Sequence, residues 1–388
     1  MKLAISLLIT SVLLLSSIGL VMIFSVSSVE GLRIYNDSYH FLKNQALFFI
    51  AALTVATIIF AIPLEKWFSK GMVYFLIGAI LIGLIVVHIP GLGKEIKGSN
   101  RWVQLPGISL QTSEFIKISV IILMAWWQGQ PWRKNAAFKE GLLYPGIGVG
   151  LVCVGLLLQP DFGSAIMLAL ICCLMMITAG VNIRILATMG ATALAIITIL
   201  VIHDSVRIKR VVPVFLLNMP EEVDPELLSG PLYQVISAIS AFKHGGIIGK
   251  GLGNSIYKEH YIPEYHTDFI LSMIGEELGI IGTASCVILI LTIFICGLYI
   301  SYKAENFQHR LLALGMTLQI SLYSIVNTGV VCGLFPTKGL AMPFLSYGGS
   351  NLLSSFMAIG FILAVGRYII ENEIPDNTPQ HNDTFWNM

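Results

Sequence analysis

Asp268 stands where a long polar segment, ending in Tyr-Ile-Pro-Glu-Tyr-His-Thr-Asp-Phe (261–269), runs into an apolar stretch of membrane length. Two more carboxylates, Glu276 and Glu277, follow a couple of turns deeper. A carboxylate at such a depth is costly to keep and marks a functional site by default. The polar segments nearby carry Lys94, Lys97 and Arg101, then Arg207, Lys209 and Arg210, then Lys243, Lys250, Lys258 and Lys338. Lipid headgroups account for any one of these. As a set they point to an anionic ligand, because lysine and arginine are the usual phosphate-binding side chains. Gly245-Gly246 and Gly249-Lys250-Gly251-Leu252-Gly253 would let a main chain approach that ligand closely. Their spacing is not that of a Walker A loop, and neither a nucleotide nor a nucleic acid is expected as a partner.

Other charges lie within or at the ends of apolar runs. Glu114 and Lys117 are spaced i,i+3, so on a helix they share a face and pair. Asp161, in Gln159-Pro160-Asp161-Phe162-Gly163-Ser164, breaks the chain between two apolar runs, a place for a turn or a gating group. Trp102, beside Arg101, suits either the lining of a ligand path or an interfacial anchor.

The elements that must position these residues are membrane spans. Of 388 residues, 56% are hydrophobic and 12% charged, and the mean hydropathy is +0.82. A soluble domain carries about 25% charged residues. Apolar runs begin with residues 3–27, read as an uncleaved first span, and recur near 44–63, 71–89, 113–127, 142–158, 162–180, 185–203, 267–300, 311–333 and 348–370. The expected fold is therefore an all-α polytopic membrane protein of about ten transmembrane helices of about 20 residues each. Residues 1–370 form one transmembrane domain, with a long loop over 204–266 between the seventh and eighth spans. Residues 371–388, rich in Pro, Asn and Asp, read as a disordered tail. The six cysteines form no CxxC pattern and read as small packing residues.

With the amino terminus inside, the inner loops collect Lys66, Lys70, Arg133, Lys134, Lys139, Arg184, Lys303, Arg310 and Arg367, in keeping with the positive-inside rule. Both termini are then cytoplasmic. The segments 28–43, 90–112, 204–266 and 334–347 face outward, with Asp268 at their edge. Within the longest, Tyr233–Phe242 reads as a short amphipathic helix.

Several motifs among these spans carry a specific resemblance. Gly98-Ser99-Asn100-Arg101-Trp102, Gln111-Thr112-Ser113-Glu114-Phe115-Ile116-Lys117, Gln159–Ser164, the Asp268 segment, Pro336-Thr337-Lys338-Gly339-Leu340 and Pro343-Phe344-Leu345-Ser346-Tyr347-Gly348-Gly349-Ser350 fall in the order and positions of the SEDS family. That family is named for shape, elongation, division and sporulation and includes FtsW, RodA and SpoVE. The resemblance runs from the first helix to Gly366. Pro336–Gly339, Tyr261–Glu264 and Gly19–Ser25 resemble the division-type FtsW branch more than the elongation-type RodA branch. Lys243-His244, where small residues usually precede the glycine pair, and Asn351, where serine is usual, depart from the pattern.

The resemblance implies a peptidoglycan glycosyltransferase of the bacterial cytoplasmic (inner) membrane, polymerising lipid II at the outer face. It also implies a class B penicillin-binding protein as transpeptidase partner, beside other division or elongation proteins. The family's essential aspartate maps onto Asp268. Lipid II carries a sugar α-linked to a lipid pyrophosphate and the product linkage is β, so one inverting displacement suffices. Asp268 then serves as base toward the attacking hydroxyl, with Arg101, Lys117, Lys258 and Lys338 as candidates to stabilise the departing pyrophosphate. A divalent cation, Mg²⁺ or Mn²⁺, with Asp268 as its ligand is the alternative the chemistry leaves open.

A transporter that flips lipid II is a competing class of function. It would line a path with Glu114, Lys117, Asp161, Glu276 and Glu277. The sequence has no clear inverted repeat, and its polar content gathers at the outer face. A non-catalytic scaffold would have little use for basic outer loops together with Asp268.

Overall fold

The computed structural model describes residues 1–96, 99–105, 108–130, 139–188, 190–191, 231–260, 265–336 and 339–373. The chain begins with α1 (Lys2–Tyr35), α2 (His40–Ala61) and α3 (Lys70–Ile85). A small sheet, β1 (Gly93–Ile96), β2 (Ser99–Leu105) and β3 (Ile108–Gln111), leads into α4 (Thr112–Gln128). Then come α5 (Tyr144–Leu158) and α6 (Phe162–Thr178), α7 (Pro231–Gly245), α8 (Ile270–Lys303), α9 (Phe307–Val331) and α10 (Gly349–Glu373).

Among the described residues, seven helices are long and apolar enough to cross a bilayer. The expected short fourth span, α4, and the sixth, α6, are helices of 17 residues each. The expected span at 185–203 lies mostly outside the described residues, which show helix over 183–188 at its start. A count of ten therefore rests on a segment that is not described, as do the tail beyond Glu373 and the acidic part of the long loop. The predicted helix over Tyr233–Phe242 is present inside α7.

Two local readings change. Residues 90–112, read as loop, contain a three-stranded antiparallel sheet in the order β1-β2-β3, with Trp102 opposite Lys94 on one side and Gln111 on the other. Its strands are four to seven residues long, too short for an apolar pattern to announce them. The apolar stretch after Asp268 is not one straight helix. Gly279 has φ 70° and ψ −167°, which breaks α8 into a buried first piece next to Asp268 and a membrane-length second one. Glycine adopts that conformation without the Cβ penalty other residues incur.

The core lies around α9 and α10, whose faces are mostly buried, while α2, α3 and α5 expose large apolar side chains such as Leu47, Phe75 and Leu151 to the bilayer side. Between apolar helices association depends on packing, so small residues mark the closest approaches. Gly315 of α9 is one: a Cβ there would stand 2.5 Å from Ile121 Cγ2 of α4 and 2.8 Å from Met175 Sδ of α6. Gly315→Val is expected to lower stability by about 1–3 kcal/mol through overpacking, read as a lower midpoint in a detergent thermal melt. An unchanged midpoint would mean these three helices are not packed as described.

Candidate active site at one end of the bundle

The loop before α8 carries Asp268, and other elements hold its main chain at consecutive residues. The Tyr347 N–H donates to His266 O (2.9 Å), Ser346 Oγ to Thr267 O (2.5 Å) and Asn327 Nδ2 to Asp268 O (2.8 Å). Asn327, deep in α9, also donates to Leu340 O at 2.8 Å, which ties the segment before α10 to the same point. Gln45 of α2 completes the clamp by donating to Ser346 O and accepting from the Gly348 N–H, both at 3.2 Å. The Pro343–Gly348 motif is thus a backbone scaffold for residues 266–268.

The Asp268 side chain faces Gly339 and Arg101. A point one Cβ away from Gly339 is 3.2 Å from Asp268 Oδ2 and 3.6 Å from Arg101 Nη2. Any larger side chain at 339 would enter the space beside both groups. Arg101 reaches there from β2, and its Nη1 donates to Asp161 Oδ1 at 3.2 Å. Asp161 also caps α6 by accepting from the Ser164 N–H at 3.2 Å. Burial pushes the Asp161 carboxyl up, but the Arg101 guanidinium, the Ser113 hydroxyl and the Ser164 N–H outweigh it, so its pKa lies below the ordinary carboxylate value. Arg101 Nε and Asp161 Oδ2 are buried without a hydrogen-bond partner. Arg101 bonds Asp161 through Nη1 and turns Nη2 toward the space beside Gly339, where a guanidinium suits an anionic group.

Inward from Asp161 lie Glu114 and Lys117, paired as their spacing requires. Lys117 Nζ donates to Glu114 Oε1 at 2.8 Å and to Tyr323 Oη at 2.7 Å, and Ser354 Oγ donates to Glu114 Oε2 at 2.7 Å. Lys117 is 0% exposed, so it was expected at an anionic ligand but lies inside the protein, neutralising Glu114. Trp102 is half-buried on β2. Lys338 lies outside the described residues.

The remaining predicted residues form a separate cluster. Glu276 accepts from His244 Nδ1 (2.9 Å), Ser255 Oγ and the Ile256 N–H (3.0 Å). Glu277 accepts from Ser25 Oγ at 2.5 Å and lies 3.6 Å from Lys258 Nζ, which donates to Gly253 O at 2.6 Å. The glycine segment, read as a close approach to a ligand, approaches protein instead. The Lys250 and Gly251 N–H groups donate to Glu276 O and Glu277 O, and the Ile280 N–H to Gly246 O, across the break at Gly279. Lys258, 7% exposed, belongs to this buried anchor and not to the surface beside Asp268. Asn327 and Gln45 were missed by the sequence reading, which included Ser346 in a motif without giving it a role. For Asn327 the available signal was a polar residue within an apolar span.

Among the described residues no three His, Cys, Asp or Glu side chains are grouped to hold a metal. A hard cation here would have Asp268 as its described carboxylate and draw further oxygens from water and phosphate, a donor set Mg²⁺ accepts.

A family model covering FtsW, RodA and SpoVE, described as cell cycle protein, matches residues 5–370. The chain belongs to this family. A relative from Trichlorobacter lovleyi, named a probable peptidoglycan glycosyltransferase FtsW, is 39% identical over 355 residues, covering 91% of each chain. Among solved structures, the rod shape determining protein RodA of Thermus thermophilus superposes with a TM-score of 0.67 at 22% identity, covering 93% of this chain and 95% of that one. A chain from a structure titled structural coordination of polymerization and crosslinking by a peptidoglycan synthase complex gives 0.71 at 22% identity, covering 93% and 97%. The family's helical polytopic fold is thus shared, and the FtsW names favour the division-type branch of the family.

Because Asp161 has a lowered folded pKa, its contribution to stability is full above the unfolded value of about 3.9 and is lost as pH falls through the folded one. Thermal melts from pH 7 down to 3 should show a decline in the wild type at the acid end that is shallower in Asp161→Asn. Parallel curves would remove Asp161 from the ion pair.

Proposed function

We propose that the chain polymerises lipid II into glycan strands at the outer face of the bacterial cytoplasmic membrane during cell division. The observation that carries this reading is the shared space beside Gly339, where the Asp268 carboxylate and the Arg101 guanidinium meet at the end of the bundle. The family membership and the relatives named peptidoglycan glycosyltransferase support it.

In the proposed step, Asp268 accepts the proton of the attacking sugar hydroxyl as that oxygen bonds to the anomeric carbon of the donor from the opposite face. The anomeric carbon–oxygen bond to the pyrophosphate breaks, and the electron pair leaves with the polyprenyl pyrophosphate. Arg101 stabilises the charge that develops there, with Lys338 as a further proposed cation. A divalent cation bound at Asp268 would share that charge. The main-chain clamp on 266–268 fixes Asp268, so little reorganisation is needed when the hydroxyl arrives. Asp161 holds Arg101, and Glu114 with Lys117 joins α4 to α9 and α10 behind it.

The charge distribution among the loops supports an orientation with both termini cytoplasmic and Asp268 outward. A class B penicillin-binding protein is the proposed transpeptidase partner, because polymer made here must be crosslinked at the same surface. The transport reading loses support from the pairing of Glu114 with Lys117 and Ser354 and of Glu276 with Ser255 and His244, which engages these groups inside the protein.

With labelled lipid II and the cognate partner in detergent, the wild type should make glycan strands on a gel. Asp268→Ala, folded and partner-bound, should lose at least about 100-fold in rate. Strands from Asp268→Ala at the wild-type rate would overturn the assignment. Flipping in liposomes without polymer from the wild type would replace it with transport.

A further inference from the structure

At the opposite end from Asp268, α1, α2 and α10 leave an apolar groove of about 230 Å³. Ile5 and Ile9 of α1, Leu53 and Phe60 of α2, and Ile359 and Leu363 of α10 line it. The one hydroxyl in its wall, Thr57 Oγ, donates its proton to Leu53 O at 2.8 Å, so the lining has no free donor side chain. A dry apolar cavity of about 150 Å³ admits benzene, so this groove has room for a length of hydrocarbon chain. It is too small for another helix, which is about 10 Å across. The bundle also closes on both sides of it. A Cβ at Gly360 would stand 2.9 Å from Ala56 O of α2, and one at Gly366 2.9 Å from Ile5 Cδ1 of α1.

The groove has a cationic mouth. Arg367 lies one turn beyond Leu363 on the same face of α10, and its guanidinium sits 5.1 Å from the centroid of the Phe60 ring. Its bonding is weak for a guanidinium. Nη1 reaches Ala61 O only at 3.5 Å, and Nε, without a hydrogen bond, is 3.6 Å from Glu371 Oε1. Glu371 is 62% exposed and free to swing aside. Lys2, one turn before Ile5 on α1, adds positive charge at the same end. A zwitterionic headgroup would bring its own cation to these charges. A headgroup of net negative charge answers them while its chain fills the groove.

We propose that this groove is a binding site for one anionic phospholipid of the leaflet at the amino-terminal end, with an acyl chain against Ile9, Leu53 and Leu363 and its phosphate between Arg367 and Lys2. Basic pockets between membrane helices select anionic headgroups, with each cation near the surface worth roughly fivefold in affinity.

The test uses the full-length protein in detergent, titrated with phosphatidylglycerol or phosphatidylcholine and read by native mass spectrometry and thermal shift. The wild type should retain phosphatidylglycerol in preference to phosphatidylcholine, with a larger rise in midpoint. Arg367→Gln, at the helix rim, should keep the fold and lose about fivefold of that preference. Leu363→Trp should lose both lipids by filling the groove. Equal retention of the two lipids by the wild type, or unchanged preference in Arg367→Gln, would overturn the site. So would a photo-crosslinker at Ile9 that captures a polypeptide in place of lipid.

Discussion

A short stretch of main chain without helix or strand, residues 266–268, sits at the end of a membrane bundle and has each carbonyl oxygen met by a donor from elsewhere in the fold. Irregular backbone at membrane depth survives only where protein or water satisfies it. Here the donors come from α9 and from the turn before α10, and Gln45 of α2 holds that turn in place. The position of Asp268 therefore depends on three helices that contribute no charge to the site. The pairing of Arg101 with Asp161 places the guanidinium from another direction, through a sheet instead of a helix.

A second anchor makes the first feasible. α8 would carry its first turns straight on if its helical bonding were unbroken. Gly279 ends that bonding, and Lys250, Gly251 and Ile280 take part in replacing it across the break. Gly249 (φ 89°) lies against the Glu277 carbonyl with no room for a Cβ. Buried charge at such a place is tolerated when paired and hydrogen-bonded. Glu276 and Glu277 meet that condition through Ser255, Ser25, His244 and Lys258.

Much of this was legible in the chain and some was not, for identifiable reasons. Asp268 was selected by its depth, and the Glu114–Lys117 pair by helical spacing, both local properties. The helices were visible because each buries or exposes an apolar surface over many turns. The sheet at 93–111 was not, since strands of four to seven residues with Gly and Pro between them leave no periodic trace. The break at Gly279 was hidden because Gly275-Glu276-Glu277-Leu278-Gly279 sits inside an apolar run, where glycine usually signals close packing. Lys258 was read as a cation of an outer loop, and Lys117 as a candidate for the pyrophosphate as well as Glu114's partner, because charge says nothing of burial. Only folding brings Glu277 to Lys258 and the Tyr323 hydroxyl to Lys117.

The buried triad of Glu114, Lys117 and Ser354, closed by Tyr323, also constrains how such a sequence drifts over generations. Removing either charge alone leaves the other unpaired in an apolar interior, a loss of about 3–5 kcal/mol. Exchanging both for apolar residues of similar volume is close to neutral. Intermediates are thus far less fit than either endpoint, and lineages either keep the pair intact or lose it in two nearly simultaneous steps. Positions 114 and 117 should change together across relatives, a signature of history that neither position carries alone.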